Sequence, residues 1–249
     1  MLQRSHKCIH SHGFIGEVKR AFIRAAFLCS AVGVDLSDRI LFIDAEAIVI
    51  DKPAGLPVDT PRRGGDSIAS RLDELKCGFK RPPTPMHRLD TDTSGCLLFA
   101  RTPGARARFQ QAFEKRKVEK YYVAVVAGEI AGEAGVIDMP LAKQSSAEAG
   151  WKIVGHPHGL AAQTRWRRLA VRDGSTLVEF QPLTGRTHQI RAHAREGFGR
   201  GIAGDRVYGV PGGPMLLHAC RLVVPREGKD TIDVTAPLPD YFGEWRDAA

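Results

Sequence analysis

Residues 96–100 (CLLFA) are apolar throughout and directly follow a loop crowded with polar side chains. An uninterrupted apolar run of this length predicts a buried strand. The preceding loop, residues 85–95, carries an imidazole, a guanidinium, two carboxylates and several hydroxyls, and it ends in Gly95. We therefore expect this loop to be held at the edge of a core, where catalytic groups concentrate.

Short strand-like segments recur along the rest of the chain. The candidates are residues 40–44, 47–51, 118–128, 164–171, 175–182, 215–224 and 231–235. Asp173-Gly174 is typical of a hairpin turn between two of them. Helices are predicted over residues 66–75, capped by Asp66, and over 102–117, and a third helix is entered within residues 184–193. This pattern predicts an α/β (α+β) fold, a single domain whose mixed, mostly antiparallel sheet is flanked by helices and loops.

The composition changes near residue 39, which we take as a boundary. Residues 1–38 are basic, contain a short helical segment at 21–29, and are interpreted as a disordered or mis-started N-terminal extension. Residues 39–249 are predicted to form the folded domain. Within it, residues 129–162 are rich in Gly, Ala, Ser and His and are interpreted as a hairpin or insertion.

The net charge of +8 over 249 residues favours a polyanionic partner, nucleic acid first and an anionic membrane surface next. The five cysteines are scattered without a C-x-x-C pair, which argues against a disulfide framework and a structural zinc site. No apolar run is long enough to span a bilayer. We expect a cytoplasmic protein that does not bind membranes.

Three familiar chemistries are excluded by what the chain lacks. Residues 92–95 (DTSG) resemble one aspartic-protease turn, but that reaction needs a second such turn. Residues 87–90 (HRLD) resemble part of a kinase catalytic loop, but no glycine-rich phosphate loop accompanies them. The histidines do not form an H-E-x-x-H pattern, and no metal site is predicted.

Residues 87–95 (HRLDTDTSG) resemble the H-R-L-D-x-x-T-S-G signature of RNA pseudouridine synthases of the RluA family. Further segments similar to that family occur in the family's order, at residues 51–55 (DKPAG), 120–128 (KYYVAVVAG), 185–191 (GRTHQIR), 204–209 (GDRVYG) and 216–219 (LLHA). The resemblance covers most of the chain. Several motifs in a fixed order are far more specific than any one of them.

The resemblance implies isomerisation of uridine in RNA to pseudouridine, without cofactor or metal. In this reaction the N-glycosidic bond breaks, the uracil turns, and a carbon–carbon bond forms through C5. The resemblance assigns the nucleophile to Asp90, the first aspartate of the signature. A carboxylate can form a covalent adduct or abstract a proton from the ribose, and the sequence leaves both routes open. Asp92 is interpreted as a residue that shapes the loop.

Two further catalytic residues follow from the resemblance. Arg186 is assigned as the partner of Asp90, because a guanidinium stays charged and can pair bidentately with a carboxylate. Tyr122 matches the third position of a K-x-Y motif, and its ring can stack on the extracted uracil. Tyr121 should then point to the opposite side of the strand.

The remaining polar residues of these motifs are assigned to substrate binding, with a purely structural role as the competing interpretation. They are His87, Arg88, Thr93, His188 and Gln189. The predicted partner is ribosomal or transfer RNA, with no protein partner and a monomeric state. Residues 1–37 are too short for the S4-type RNA-binding domain that many relatives carry, which leaves target choice to the catalytic domain.

Two other functions remain open at this point. A non-catalytic RNA-binding or ribosome-assembly factor would retain the fold without the chemistry. A hydrolytic glycosidase would need a pair of carboxylates, which Asp90 and Asp92 imitate, and it would release free uracil.

Overall fold

The computed structural model describes residues 34–146 and 150–248. The N-terminal extension up to residue 33, with its predicted helix at 21–29, lies outside the described residues. The boundary at residue 38 stays a prediction. Leu36, on the extension side of that boundary, is buried in the main core.

Most of the described chain is organised as β-strands. In chain order they are β1 (Ile40–Ile43), β2 (Ala47–Lys52), β3 (Thr84–Pro85), β4 (Ser94–Ala100), β5 (Glu119–Val126), β6 (Ala134–Asp138), β7 (Leu141–Ser146), β8 (Gly150–Gly155), β9 (Gln163–Arg172), β10 (Ser175–Pro182), β11 (Leu217–Arg226) and β12 (Lys229–Thr235). Within the described residues, ten of them join in one sheet, and β7 and β8 form a separate hairpin.

The main path of the sheet runs β1-β2-β4-β11-β5-β10-β9-β6, with β12 added to β11 and β3 to β4. Pairing is antiparallel except between β4 and β11, which run parallel. The predicted mixed, mostly antiparallel sheet is therefore confirmed. The hairpin of β9 and β10 turns at Asp173-Gly174, and both residues have the positive φ that such a turn requires.

Helices cover both faces of the sheet. Helix α1 (Pro103–Glu114) begins at Thr102, whose hydroxyl accepts a hydrogen bond from the Ala105 N–H. Helix α2 (Gln189–Phe198) packs on the other face. Three 3-10 helices complete the described structure, at Leu36–Arg39, Ala69–Leu75 and Asp240–Ala248.

Alternation along the central strands separates two cores. In β4, Leu97 and Phe99 contribute to the core beneath α2, whereas Cys96 and Leu98 contribute to the core beneath α1. Every residue of β4 is buried, as the apolar run predicted. The polar loop that precedes β4 is therefore anchored between two packed layers.

One sequence-based prediction differs from the structure. The helix expected from Asp66 is a 3-10 helix that begins at Ala69, without a side-chain cap. Ser67 and Ser70 exchange side-chain–backbone hydrogen bonds there, which compete with α-helical bonds.

Residues 129–162, interpreted from the sequence as a hairpin or insertion, contain β6 and the β7–β8 hairpin. The irregular burial of these strands gave no clear periodicity in the sequence.

Gly95 lets β4 approach β11 closely. Its φ is +108°, and a Cβ built on it would lie 2.3 Å from the carbonyl oxygen of Ala219, its parallel partner on β11. Real side chains do not tolerate such a contact with backbone, so this crossing needs glycine.

Two histidines fasten the ends of the same strand. His87 Nε2 accepts a hydrogen bond from the Leu98 N–H at 3.1 Å. His218 Nε2 faces the Ala236 carbonyl, which can only accept, so His218 Nδ1 accepts from the Ser94 hydroxyl at 2.8 Å. Burial lowers the pKa of His218 to about 4, from an ordinary 6.5. For His87, burial and the nearby Lys120 lower the pKa to about 3.

We predict that Gly95→Ala destabilises the protein by at least about 3 kcal/mol, because it adds backbone overlap to an unfavourable φ. Urea denaturation measures the loss. Gly104→Ala is the matched control, since Gly104 lies in α1 with no close contact for a Cβ, and it should be stabilising by up to about 1 kcal/mol. Equal stability of the two variants would contradict the tight β4–β11 crossing.

We also predict an acid-sensitive stability with a defined window. The unfolded chain protonates His218 below about pH 6.5, whereas the folded protein keeps it neutral down to about pH 4. The contribution of His218 to the free energy of unfolding is thus complete above pH 6.5 and is lost as the pH falls towards 4. Between pH 7 and 5 the free energy of unfolding should drop by about 2 kcal/mol from this residue. Urea denaturation of His218→Gln should show a free energy of unfolding that depends less on pH than that of the wild type. His158 is exposed, so the control His158→Gln should keep the pH dependence of the wild type.

Candidate active site

One pocket of about 320 Å³ gathers the sequence-predicted residues. Its walls come from the loop before β4, from β5, and from the turn that leads into α2. All eight predicted site residues line it: His87, Arg88, Asp90, Thr93, Tyr122, Arg186, His188 and Gln189. The volume is at the lower end of the range for small-ligand sites, which suits a nucleoside-sized group.

Asp90 stands at the centre of this pocket with its side chain 21% exposed. Its carbonyl oxygen accepts a hydrogen bond from the Thr93 N–H at 3.1 Å, which closes the loop into a turn. Leu89, immediately before it, is buried in the main core. The carboxylate is therefore presented from a backbone that is fixed on both sides.

The buried ammonium of Lys52 ties this loop to the end of β2. Its Nζ donates to the carbonyl oxygens of Pro53 and Leu56, both at 2.8 Å, and of Thr91 at 3.1 Å. Three carbonyl acceptors match the three N–H donors of an ammonium group. Burial lowers the pKa of Lys52 to about 7, against the charges of Asp92 and Asp90, which raise it.

Arg191 is the cation that pairs with Asp90. Its Nη1 donates to Asp90 Oδ2 at 2.9 Å. Its Nε and Nη2 hold both carboxylate oxygens of Asp205, at 2.7 and 2.8 Å. Burial lowers the pKa of Arg191, but the two carboxylates outweigh it and keep the pKa above its ordinary value. One guanidinium thus fixes Asp90 while Asp205 fixes the guanidinium.

The predicted contact between Arg186 and Asp90 is not formed. Arg186 Nε donates instead to the Ala161 carbonyl at 3.1 Å, at the rim of the pocket. The reason is the start of α2 at Gln189, after which Arg191 lies in the first helical turn. Long side chains in a helix point back towards its N-terminus, and this direction carries Arg191 onto Asp90. The motif at residues 185–191 contained both arginines, but its sequence did not distinguish them.

His188 is the second group that faces Asp90. It caps α2 in a left-handed conformation, with φ 52°, which is uncommon for a residue other than glycine. Its Nδ1 lies 2.9 Å from the Tyr208 hydroxyl, and its Nε2 lies 3.8 Å from Asp90 Oδ2. Burial lowers the pKa of His188, against the charge of Asp90. The ring is therefore held beside the carboxylate as a neutral group.

Tyr122 supplies the aromatic wall of the pocket. It is buried in β5 opposite Phe180 of β10. Burial and the nearby charge of Asp90 both raise the pKa of its phenol, so the ring stays neutral. Tyr121 lies on the other side of the strand, where its hydroxyl donates to Glu119. The expected alternation of the two tyrosines is confirmed.

The other predicted substrate-binding residues fall into two groups. Arg88 is 70% exposed and pairs with Asp59 at the surface, so it can reach a ligand. Gln189 is buried, and its amide contacts Thr184, Arg186 and Gln163 of the protein itself. That geometry makes Gln189 a residue that shapes the turn before α2.

Thr93 and His87 sit on the inner side of the same loop. Thr93 is 2% exposed, and its N–H closes the turn at Asp90. His87 binds the backbone of β4 through Nε2. Both residues line the pocket, and their hydrogen bonds fix the backbone of the loop and of β4.

Sequence reasoning gave no role to five residues of this site: Arg191, Lys52, Lys120, Asp205 and Tyr208. All five belong to the motifs that carried the resemblance. Lys120 lies on the pocket wall two positions before Tyr122, and burial lowers its pKa. Alternation along β5 places Lys120 and Tyr122 on the same face, and this signal was available in the sequence.

The described residues contain neither a cluster of metal ligands nor a helix that could cross a membrane. Within residues 34–146 and 150–248, no three His, Cys, Asp or Glu side chains are grouped to hold a metal ion. None of the described helices combines the length and the hydropathy that a membrane crossing requires.

Comparison with known proteins identifies the family of this chain. The family model for RNA pseudouridylate synthase matches residues 46–196. An uncharacterized RNA pseudouridine synthase of Zymomonas mobilis is 48% identical over 211 residues, covering 83% of this chain and 96% of the relative. The dual-specificity RNA pseudouridine synthase RluA of Yersinia pestis is 32% identical and covers 74% and 91%. The ribosomal large subunit pseudouridine synthase C of Rickettsia bellii is 33% identical and covers 83% and 70%.

A solved structure shows the same architecture. Human RNA pseudouridylate synthase domain containing 4 superposes with a TM-score of 0.70 at 26% identity, covering 91% of this chain and 95% of that one. Sequence motifs, pocket and fold therefore agree. The chain belongs to the RluA family of RNA pseudouridine synthases, isomerases that convert uridine in RNA to pseudouridine.

Proposed function

We propose that this protein isomerises a uridine of ribosomal RNA, with Asp90 as the nucleophile. The observation that carries the proposal is the Arg191 guanidinium, 2.9 Å from Asp90 and fixed by Asp205, inside a pocket walled by Tyr122. The printed name of the Rickettsia bellii relative refers to the large ribosomal subunit, and this supports large-subunit RNA as the first substrate to test.

The arrangement fits the needs of the reaction at Asp90. A nucleophilic carboxylate must be charged and must keep a fixed direction while water is largely excluded. Arg191 supplies the compensating charge and donates one N–H, from Nη1, to Asp90. Its Nε and Nη2 groups donate to Asp205. Asp90 lines the pocket in which the ribose or the base would lie.

The aromatic ring of Tyr122 suits the step in which the uracil rotates inside the pocket. The bond between C1′ and N1 breaks, the uracil rotates while it is held, and C1′ bonds to C5, which then loses its hydrogen. A neutral aromatic wall can stack on the uracil without fixing one orientation through hydrogen bonds. The raised pKa of Tyr122 keeps the phenol as a proton donor and removes charge from that wall.

The rim of the pocket suits an RNA strand. Arg88 and Arg186 stand at its edge as exposed or partly exposed cations, and Lys120 lies further in. Positive groups bind the phosphate backbone, and the target base must leave the stack to enter. We infer that the uridine is taken from a loop or a deformable helix.

For Asp90, we predict a loss of activity without a loss of RNA binding. Asp90→Asn keeps the shape of the side chain but removes the charge and the nucleophile, so the rate should fall about a thousand-fold or more. Tritium release from a large-subunit ribosomal RNA transcript containing 5-tritiated uridine measures the rate, because C5 loses its hydrogen in the reaction. Binding of the same transcript, measured by fluorescence anisotropy, should stay within about three-fold of the wild type.

Carbodiimide mapping of RNA from cells with and without the protein identifies the uridine. Full activity of the Asp90→Asn variant would show that Asp90 is not the nucleophile. Release of free uracil by the wild-type protein would instead indicate a hydrolase.

We also predict that Arg191 and Arg186 differ in their effects on kcat and KM. Arg191→Lys cannot hold Asp90 and Asp205 together, so kcat should fall about a hundred-fold with the charge retained. Arg186→Lys is the matched control, and it should change kcat by less than about three-fold while raising KM. Thermal melting shows whether each variant is folded. The opposite pattern, with kcat lost only in Arg186→Lys, would restore Arg186 as the catalytic partner.

A further inference from the structure

A second pocket, of about 420 Å³, opens beside the active-site pocket. The two share one wall, the turn formed by Gly185, Arg186 and Thr187. The rest of the second pocket is lined by the β7–β8 hairpin and the segment that follows it. A strand of RNA whose uridine fills the first pocket therefore passes the mouth of the second.

The walls contributed by the hairpin are apolar and open to solvent. Trp151 is 46% exposed and Leu160 is 63% exposed, and Leu141 and Ile153 close the pocket behind them. A single exposed apolar side chain needs no explanation. Two large ones that line the same concavity indicate a surface that is covered in use.

The charge at this pocket favours an anionic occupant. Lys143 Nζ lies 5.1 Å from the centroid of the Trp151 ring, and Arg186 stands on the shared wall. None of the residues that line the pocket is acidic. An aromatic side chain beside cations is the combination that binds single-stranded nucleic acid, since it offers an aromatic contact to a base and charge to its phosphate.

The second pocket adjoins the active site through His188. The Trp151 ring stacks on the His188 ring, with centroids 5.0 Å apart and planes at 19°. His188 Nε2 in turn lies 3.8 Å from Asp90 Oδ2. One side chain therefore separates the second pocket from Asp90.

We propose that this pocket binds the base of an unpaired nucleotide adjacent to the target uridine, against Trp151 and Leu160, with a phosphate beside Lys143 and Arg186. This inference rests on the proposed function, because it concerns the same RNA strand. It makes the β7–β8 hairpin a determinant of which uridine is accepted. The site would require an unpaired neighbour that can leave the stack together with the uridine.

The protein side of the test uses the full chain and the large-subunit ribosomal RNA transcript. Trp151→Ala and Leu160→Ala should each raise KM about ten-fold, the order of one base–aromatic stack, with kcat within about three-fold. Trp151→Phe should recover most of the loss. Lys152→Ala is the matched control, because Lys152 neighbours Trp151 on β8 but does not line the pocket, and it should change KM less than two-fold.

Anisotropy of the same RNA with each variant gives a readout that does not depend on turnover. Weaker binding by Trp151→Ala and Leu160→Ala than by Lys152→Ala supports the pocket even if the wild type forms no pseudouridine, in which case only the proposed function fails. Equal KM and equal binding for Trp151→Ala, Leu160→Ala and Lys152→Ala would overturn the pocket.

The RNA side of the test assigns the occupant. After the uridine is mapped, an abasic residue is placed in turn at each flanking position of the transcript. At one position the abasic RNA should lower kcat/KM for the wild type about ten-fold and have little further effect on Trp151→Ala. Additive losses at every position would show that Trp151 does not contact a neighbouring base and would overturn the proposal.

Discussion

The Arg191 guanidinium is the interaction on which the site depends. It lies between two carboxylates, with one N–H for Asp90 and a bidentate pair for Asp205. Asp205 also accepts the N–H groups of Val207 and Tyr208, so its own position is fixed by the backbone. A buried charge that pairs with only one partner is expensive. Here the Arg191 guanidinium faces two carboxylates, so removing it would leave both of them without their cation.

The rest of the fold can be understood as support for this contact. β4 is buried on both faces and crosses β11 at Gly95 without space for a side chain. Lys52 ties the loop to β2, and α2 delivers Arg191 and His188 from the opposite side. The fold therefore brings together groups that are about a hundred positions apart in sequence, as the Asp90–Arg191 bond shows with its separation of 101 residues.

The stacking of Trp151 on His188 extends this site to a hairpin outside the main sheet. In an enzyme that must extract one base from a folded RNA, binding energy from neighbouring nucleotides can be used to offset the cost of unstacking. A pocket beside the catalytic one is well placed for that purpose. The proposed nucleotide pocket would account for the exposure of Trp151 on this hairpin.

The sequence by itself determined the class of fold, the loop that carries Asp90, and the residues that surround it. Local signals sufficed for these, because an apolar run specifies a buried strand and a series of ordered motifs specifies a family. The sequence could not decide between Arg186 and Arg191, since both belong to one short motif. That choice was made by the start of α2 at Gln189 and by its packing on the sheet.

Tertiary structure alone also decided where residues 129–162 lie. Their strands are irregular and partly exposed, so no periodicity indicated them, and the stacking of Trp151 on His188 joins residues that are distant in the chain. Side-chain direction and long-range contact are properties of the packed molecule. For this reason the sequence located Asp90, and only the fold showed that Arg191 and His188 lie beside it.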